Sequence, residues 1–291
     1  MTAPILLAGL GGLLSERAGV LNIGLEGLIL WSAFFAYAVA ASVAVLGAPA
    51  LGIALAVPAG ALAGALLAAL FAYVVLKLEA NVFVAGLAIN LLASGLVPFF
   101  SIAFYGGKGV VREELIGEVP RLFDLPGLPF FGELLFGHSV FVYLSWVAAA
   151  AVLVGLYRSY VGLHLRTAGS RPELLKLRGR SPSRYQALAL VLSGAFAGLA
   201  GANLSLRLGA YVPGISGGRG WIALVTVYLG YRNPIGLAIA AFVFGLSESL
   251  AVAAQGTLNI PNTLLLGLPY AITVLALLSY AALRKRRASR A

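Results

Sequence analysis

Residues 158–185 read RSYVGLHLRTAGSRPELLKLRGRSPSRY, and they form the only long basic interruption between two apolar runs. Arg158, Arg166, Arg171, Lys176, Arg178, Arg180 and Arg184 stand against a single acid, Glu173. In a membrane protein a short loop of this kind is retained in the cytoplasm. Inside it the punctuation predicts a small helix over Arg171–Arg178. Ser170 is placed to cap it, and Glu173 completes a capping box. Pro172 is tolerated in the first turn, and Gly179 supplies the stop. Leu174, Leu175 and Leu177 are its apolar content. Two turns are too few for a stable isolated helix, so this one should dock on something. It reads as the handle by which a soluble partner grips a membrane protein.

The flanks agree with that reading. Of 291 residues, 61% are hydrophobic and 10% charged, against about 25% charged in soluble domains. The fold class is therefore an all-α, polytopic transmembrane helix bundle. The net charge of +10 is concentrated in the basic loop and the tail. No basic face interleaves with aromatics, so a nucleic-acid footprint is not indicated. With no cysteine, disulfides and thiol-based metal or redox sites are excluded. The n-region lacks positive charge, so no cleavable signal peptide is expected.

Apolar runs follow one another along the chain. Ala3–Leu14 is shorter than the roughly 20 residues a span needs; it is a helix stump, a re-entrant piece or the end of a span. Ile23–Leu46, Ala50–Leu76 and Val82–Tyr105 are each long enough to cross. Gly106–His138 has three basic and five acidic residues, which suits an external loop. Ser139–Tyr157 leads into the basic loop. Ser181-Pro182 opens the next run, which continues to about Leu206 and carries Gly194, Ala197, Gly198 and Gly201 three or four apart, a face able to approach another backbone. Gly209–Gly220, with Pro213 and five glycines, is not a helix. Trp221–Tyr231, Ile235–Ala254 and Thr263–Leu283 follow, and the tail from Arg284 is basic. The expectation is one transmembrane domain over 1–291 with about eight or nine membrane segments. It has a cytoplasmic loop at 158–185, an external loop at 106–138 and a cytoplasmic tail at 284–291. Charge bias then puts Lys77, Ser15–Asn22 and Arg232 inside and Gly209–Gly220 outside.

Several stretches together resemble one family. SERAGVLNIGLEG (residues 15–27), Asn81 with GLAINLL (86–92), GLHLR (162–166) through Gly179, LSGAFAGLAGA (192–202), and Pro213-Gly214 through GRGWIAL (218–224) with Asn233-Pro234-Ile235-Gly236 occur in order along nearly the whole chain. They are similar to the inner-membrane permease subunits of ABC importers, in the superfamily that serves branched-chain amino acids, ribose and nucleosides. The likeness is closest to the nucleoside and simple-sugar branch, which is fed by a binding lipoprotein. Members usually carry more chain before the Ser15-Glu16-Arg17 stretch, so the start is trimmed or the branch is one helix short.

The resemblance implies a non-enzymatic permease that pairs with a second, identical or different, permease. A cytoplasmic ATPase binds ATP and magnesium, and an extracytoplasmic lipoprotein delivers nucleosides or simple sugars. This chain has no phosphate-binding loop, and no cofactor of its own is implied. ATPase coupling falls to Ser170, Pro172, Glu173, Leu174, Leu175, Lys176, Leu177 and Gly179. The bland alternative is an amphipathic helix lying on the membrane surface. The location is the cell membrane, multi-pass, with a cytoplasmic C-terminus.

Polar residues at membrane depth are costly and line a cavity or pair up. Asn22, Glu26, Asn90 and Glu248 are the pathway candidates. For Glu248, pairing with Arg207 or Arg219 is the competing reading; for Asn203, an amide bond between helices is the preferred one. Glu16 and Arg17 either break a helix beside the pathway or sit at the water interface. A secondary carrier driven by an ion gradient would need a midplane ion site, for which only Glu26 and Glu248 qualify; branched-chain amino acids are a further substrate class. Gly214-Ile215-Ser216-Gly217-Gly218 matches G-x-S-x-G, but neither His138 nor His164 is placed to act as its base. The two histidines and scattered carboxylates do not make metal-ligand spacing.

Overall fold

The structure is a computed structural model that describes residues 1–113, 116, 119 and 137–254. Among them are ten helices: α1 (Thr2–Arg17), α2 (Leu25–Val45), α3 (Pro49–Leu76), α4 (Val82–Tyr105), α5 (Val140–Arg158), α6 (Tyr160–Ser170), α7 (Pro172–Leu177), α8 (Pro182–Leu208), α9 (Arg219–Leu229) and α10 (Pro234–Ala254). In lipid only helices or closed barrels satisfy every backbone group. Six of these helices, α2, α3, α4, α5, α8 and α10, are long and apolar enough to cross a membrane; α9 is a shorter apolar helix. The expected run Thr263–Leu283, the tail and most of the 106–138 loop lie outside the described residues.

Local chemistry explains where the helices begin. Asn81 caps α4, its side-chain oxygen accepting from the amides of Phe83 (2.9 Å) and Val84 (3.3 Å). Pro49, Pro182 and Pro234 open α3, α8 and α10, where a missing amide hydrogen does no harm. Ser181 holds the cap position of α8, though its hydroxyl makes no capping bond.

Helix α8 organises the bundle, packing against α1, α2 and α3. It crosses α3 on glycines, as the small-residue face predicts. A Cβ on Gly194 would overlap the Gly64 carbonyl, and one on Gly198 the Gly60 carbonyl. The same helix meets α2 where Gly201 abuts the Ile29 carbonyl, and α1 where Gly11 abuts the Ser193 carbonyl.

The short first run is a 16-residue helix, about 24 Å at the usual rise, buried at every residue from Ala3 to Ser15. A helix apolar all round belongs in a core, and α1 sits among α5, α8, α9 and α10. By contrast α4 buries one narrow stripe, Ala85, Gly86, Ile89, Ala93, Val97 and Ser101, and exposes Leu87, Leu91, Phe99 and Phe104. That is the pattern of a helix with one protein-facing and one lipid-facing side.

The ends of the bundle match the grouping expected from charge. The 15–22 segment, residues 158–185 and Arg232 gather at one end, the basic end. At the other end two strands join the segments after α4 and α8: β1 (Val111–Arg112) pairs antiparallel with β2 (Ala210–Tyr211), Val111 opposite Tyr211. Among the described residues this two-residue pair is the only strand structure in an otherwise all-α fold. From β2 the chain turns through the glycine-rich stretch and returns to the basic end as α9.

The glycine crossing yields a prediction. Gly198→Val puts a branched side chain onto the Gly60 carbonyl, and is expected to cost at least the roughly 1–3 kcal/mol of ordinary overpacking. The monodisperse peak in detergent size-exclusion chromatography should be lost. Gly95→Ala and Gly155→Ala, where a Cβ meets nothing within 4 Å, should keep it.

Candidate functional site

Between α1 and α2 the helix breaks at residues 18–24. Gly19 supplies the turn at φ +83°, a region other residues rarely enter. A broken helix inside a membrane leaves backbone groups that need partners, and amides supply them. The Asn22 side chain is fully buried; it donates to Ser193 Oγ of α8 (2.9 Å) and accepts from the Gly24 amide (3.1 Å). Asn90 of α4 donates to the Ile23 carbonyl (3.0 Å) and accepts from the Gly27 amide (2.8 Å). The break is thus fastened to α8 on one side and to α4 on the other.

The N-terminus of α9 meets the N-terminus of α2 at this point. The Glu26 carboxylate, in the first turn of α2, accepts from the amides of Gly218 and Gly220, both at 2.8 Å. Helix N-termini carry partial positive charge, so one carboxylate complements two of them. Gly220 is a glycine because its Cβ would lie 2.6 Å from the Glu26 Cα. Arg219, next in line, forms an ion pair with Glu248 of α10 and also donates to the Ile215 and Ser216 carbonyls (3.2 and 3.4 Å). Both side chains of the pair are 17% exposed. Of the two partners the spacing allowed for Glu248, the structure selects Arg219. The expected amide bond of Asn203 is not formed: the residue is buried, and neither amide atom has a hydrogen-bond partner among the described residues.

Glu16 and Arg17 stand at the basic end. Glu16 pairs with Arg232 at 2.9 Å. Arg17 donates to the Arg232 carbonyl (2.7 Å) and to the Tyr157 hydroxyl (3.1 Å). They tie the end of α1 to the α9–α10 turn and to α5, which is the interface reading of these two residues.

The 158–185 stretch is more helical than its polarity implies. Residues 160–170 form α6, capped by Ser159, whose hydroxyl accepts from the Gly162 amide (3.0 Å). The signal was present in the spacing of Gly162, Leu165 and Ala168, the three buried positions of α6. The capping box at Ser170 is a correction. Ser170 is the last residue of α6, its hydroxyl donates back to the Arg166 carbonyl (2.8 Å), and α7 starts at Pro172 with no side-chain cap. The preceding helix claims Ser170 before it can cap the next. The rest of the punctuation holds, with Gly179 closing α7 at φ +67°. Of its leucines, Leu175 is buried and anchors the helix, whereas Leu174 and Leu177 are 47% and 82% exposed. Glu173, Lys176 and Arg178 are exposed beside them.

At the opposite end a cavity of about 1150 Å³ is lined by Arg112, Glu113, His138, Trp146, Arg207 and the first residues of α1. Next to it Tyr211 is buried, which pushes its phenol up to about 12 and keeps it neutral.

The Arg219–Glu248 pair is open to test. Breaking a partly buried pair from one side leaves an uncompensated charge, at up to about 3–5 kcal/mol, whereas replacing both partners is often neutral. Arg219→Met and Glu248→Met should each lower the melting temperature in detergent, and the double variant should recover most of the loss.

Comparison with known proteins agrees with this architecture. Residues 1–277 match the family described as branched-chain amino acid transport system / permease component. Among curated relatives, a putative glucose ABC transporter permease protein of Haloferax volcanii is 36% identical, covering 96% of this chain and 88% of the relative. A guanosine ABC transporter permease protein of Bacillus subtilis is 33% identical, with coverage of 96% and 88%. A second glucose ABC transporter permease protein of Haloferax volcanii is 28% identical, with coverage of 83% and 64%. No solved structure matches. On a match that spans nearly the whole chain, this protein belongs to the branched-chain amino acid transport system / permease component family and is a non-catalytic permease subunit of an ABC importer.

Proposed function

We propose that this permease imports nucleosides or simple sugars across the cell membrane, with α7 as the helix that docks on its ATPase. The observation that carries the docking assignment is the way α7 is presented. Six residues are held out from the bundle at its basic end, with Leu175 turned in and Leu174 and Leu177 turned out. Exposed leucines on an aqueous end find a use in a partner's groove, as helix-in-groove recognition employs them. Ser170, Pro172 and Gly179 set the bounds of the segment, and Glu173 and Lys176 supply its polar rim.

Sidedness follows from the same charges. The basic end faces the cytoplasm under the positive-inside bias, and the β1–β2 end with its cavity faces the binding protein. The C-terminus, whose tail is basic, is placed in the cytoplasm. With α1 and α9 counted beside the six long helices, and a further apolar run at 263–283, the membrane segments number about eight or nine.

The substrate class rests on the relatives, which are named for glucose and guanosine. The long apolar helices carry few charged residues, which suits neutral, hydroxyl-rich molecules. That two glucose permeases of one organism are both similar to this chain supports pairing with a second, different permease. ATP and magnesium bind the ATPase partner. Transport then proceeds by alternating access, with Asn22, Glu26, Asn90 and Glu248 lining or bracing the route. An ion-driven carrier would need a free midplane carboxylate, and Glu26 and Glu248 are both already committed to protein partners.

The test is purification of the complex in mild detergent, with uptake of labelled guanosine and glucose in proteoliposomes. ATP-dependent uptake insensitive to uncoupler is expected. Leu174→Arg with Leu177→Arg should leave the chain inserted and abolish ATPase co-purification and uptake. Retention of both by the double variant would place the docking segment elsewhere.

A further inference from the structure

We propose that Gly169 and Gly19 form the joint through which movement of α7 reaches the buried helix α1, and that both are positioning residues for transport. The proposal rests on the reading of α7 as the ATPase-docking helix. A single residue, Arg171, separates α6 from α7. Its amide donates to the Thr167 carbonyl (2.9 Å), and its carbonyl accepts from the Leu174 amide (3.1 Å). Displacement of α7 is therefore carried directly into the end of α6.

There α6 touches the helix break backbone to backbone. A Cβ on Gly169 would lie 2.7 Å from the Gly19 nitrogen and 2.8 Å from the Ala18 carbonyl carbon, and one on Gly19 would lie 2.8 Å from the Gly169 Cα. Both glycines are otherwise open to solvent, so the contact is not explained by burial of apolar surface. Glycine is also a poor choice on an exposed helix turn, where alanine is more favourable. Its use at 169 is the close approach it permits. Backbone contact leaves no side-chain rotamer to absorb a displacement.

Neighbouring groups keep the joint closed. Gln186 of α8 donates to the Ala18 carbonyl (3.3 Å). Leu165 of α6 packs with Ala18 and Ala189, and the Arg166 guanidinium lies 5.0 Å from the Tyr157 ring centre, whose hydroxyl also receives Arg17. Beyond the joint, α1 is continuously buried and ends at the far cavity. Tightly packed elements of this kind shift between discrete arrangements rather than deform.

The experiment uses the full complex with its ATPase and paired permease. Uptake per ATP hydrolysed is measured, together with thiol labelling of Leu208→Cys at the cavity rim, in a chain with no native cysteine. Gly169→Ala should retain the ATPase and its hydrolysis, lose the ATP-dependent change in labelling, and lower uptake per ATP about ten-fold, as contacts on a coupling route can. Gly155→Ala, the same change at an open position, should preserve both readouts. Gln186→Ala, which loosens the joint without adding volume, should give a smaller loss of about three-fold; it becomes the deciding variant if Gly169→Ala fails to insert. Uptake per ATP within about two-fold of the parent in the deciding variant, with the ATPase bound, overturns the proposal. ATPase retention by Leu174→Arg with Leu177→Arg instead marks failure of the docking reading, by association rather than by coupling ratio.

Discussion

The crossing of α3 and α8 on Gly60, Gly64, Gly194 and Gly198 is the contact on which the rest of the bundle depends. Lipid offers no hydrophobic drive for two apolar helices to associate, so close van der Waals packing has to supply it. Glycine removes the side chains that would hold the backbones apart. With α3 drawn in, α8 has three helices against it, and α1 is enclosed between α8 and the α9–α10 pair. A 16-residue helix that exposes nothing to lipid is tolerable only inside such a cage.

That cage makes room for interrupted helices. The chain breaks between α1 and α2 and again before α9, and both breaks would leave unsatisfied amides and carbonyls in an apolar interior. Asn22, Asn90 and Glu26 resolve the problem with side-chain bonds to Ser193, Ile23, Gly24, Gly27, Gly218 and Gly220. Polar residues at membrane depth therefore hold two helix N-termini face to face. The Arg219–Glu248 pair anchors the second of them to α10. The polar, interrupted centre thus sits inside a glycine-packed frame.

The same frame connects the two ends of the molecule. The α6–α7 pair touches the break at Gly19, the break is continuous with α1 and α2, and α1 reaches the cavity beside Arg207. Glu16, Arg17 and Arg232 bind the α9–α10 turn into the same basic end. If α7 is the docking helix, as proposed, a movement entering there would meet the ends of α1 and α10 together. Much of this was legible in the chain. Long apolar runs can only be helices in lipid, and their bounds, the glycine face of α8, the stop at Gly179, the non-helical stretch after Gly209 and the grouping of ends by charge all follow from local composition. The family was legible in a different way, through the resemblance of whole motifs that occur in order along the sequence. Local composition misjudged Ser170, because a hydroxyl that can cap one helix can equally bond back within another, and Asn203, whose amide finds no partner among the described residues. Ser159 and the buried spacing of Gly162, Leu165 and Ala168 carried a signal for α6, but the density of charge masked it.

By itself, then, the sequence determined that this is a membrane helix bundle with a basic aqueous end, since burial of apolar runs and retention of charge are properties of the residues alone. Only the tertiary structure decided which polar groups meet: that Glu26 serves α9, that Asn90 closes a break more than sixty residues earlier, that Glu248 takes Arg219, and that Gly169 rests on Gly19. The physical reason is that a hydrogen bond or a backbone contact between distant segments leaves no periodicity in either. It exists only once the crossing of α3 and α8 has brought the segments together.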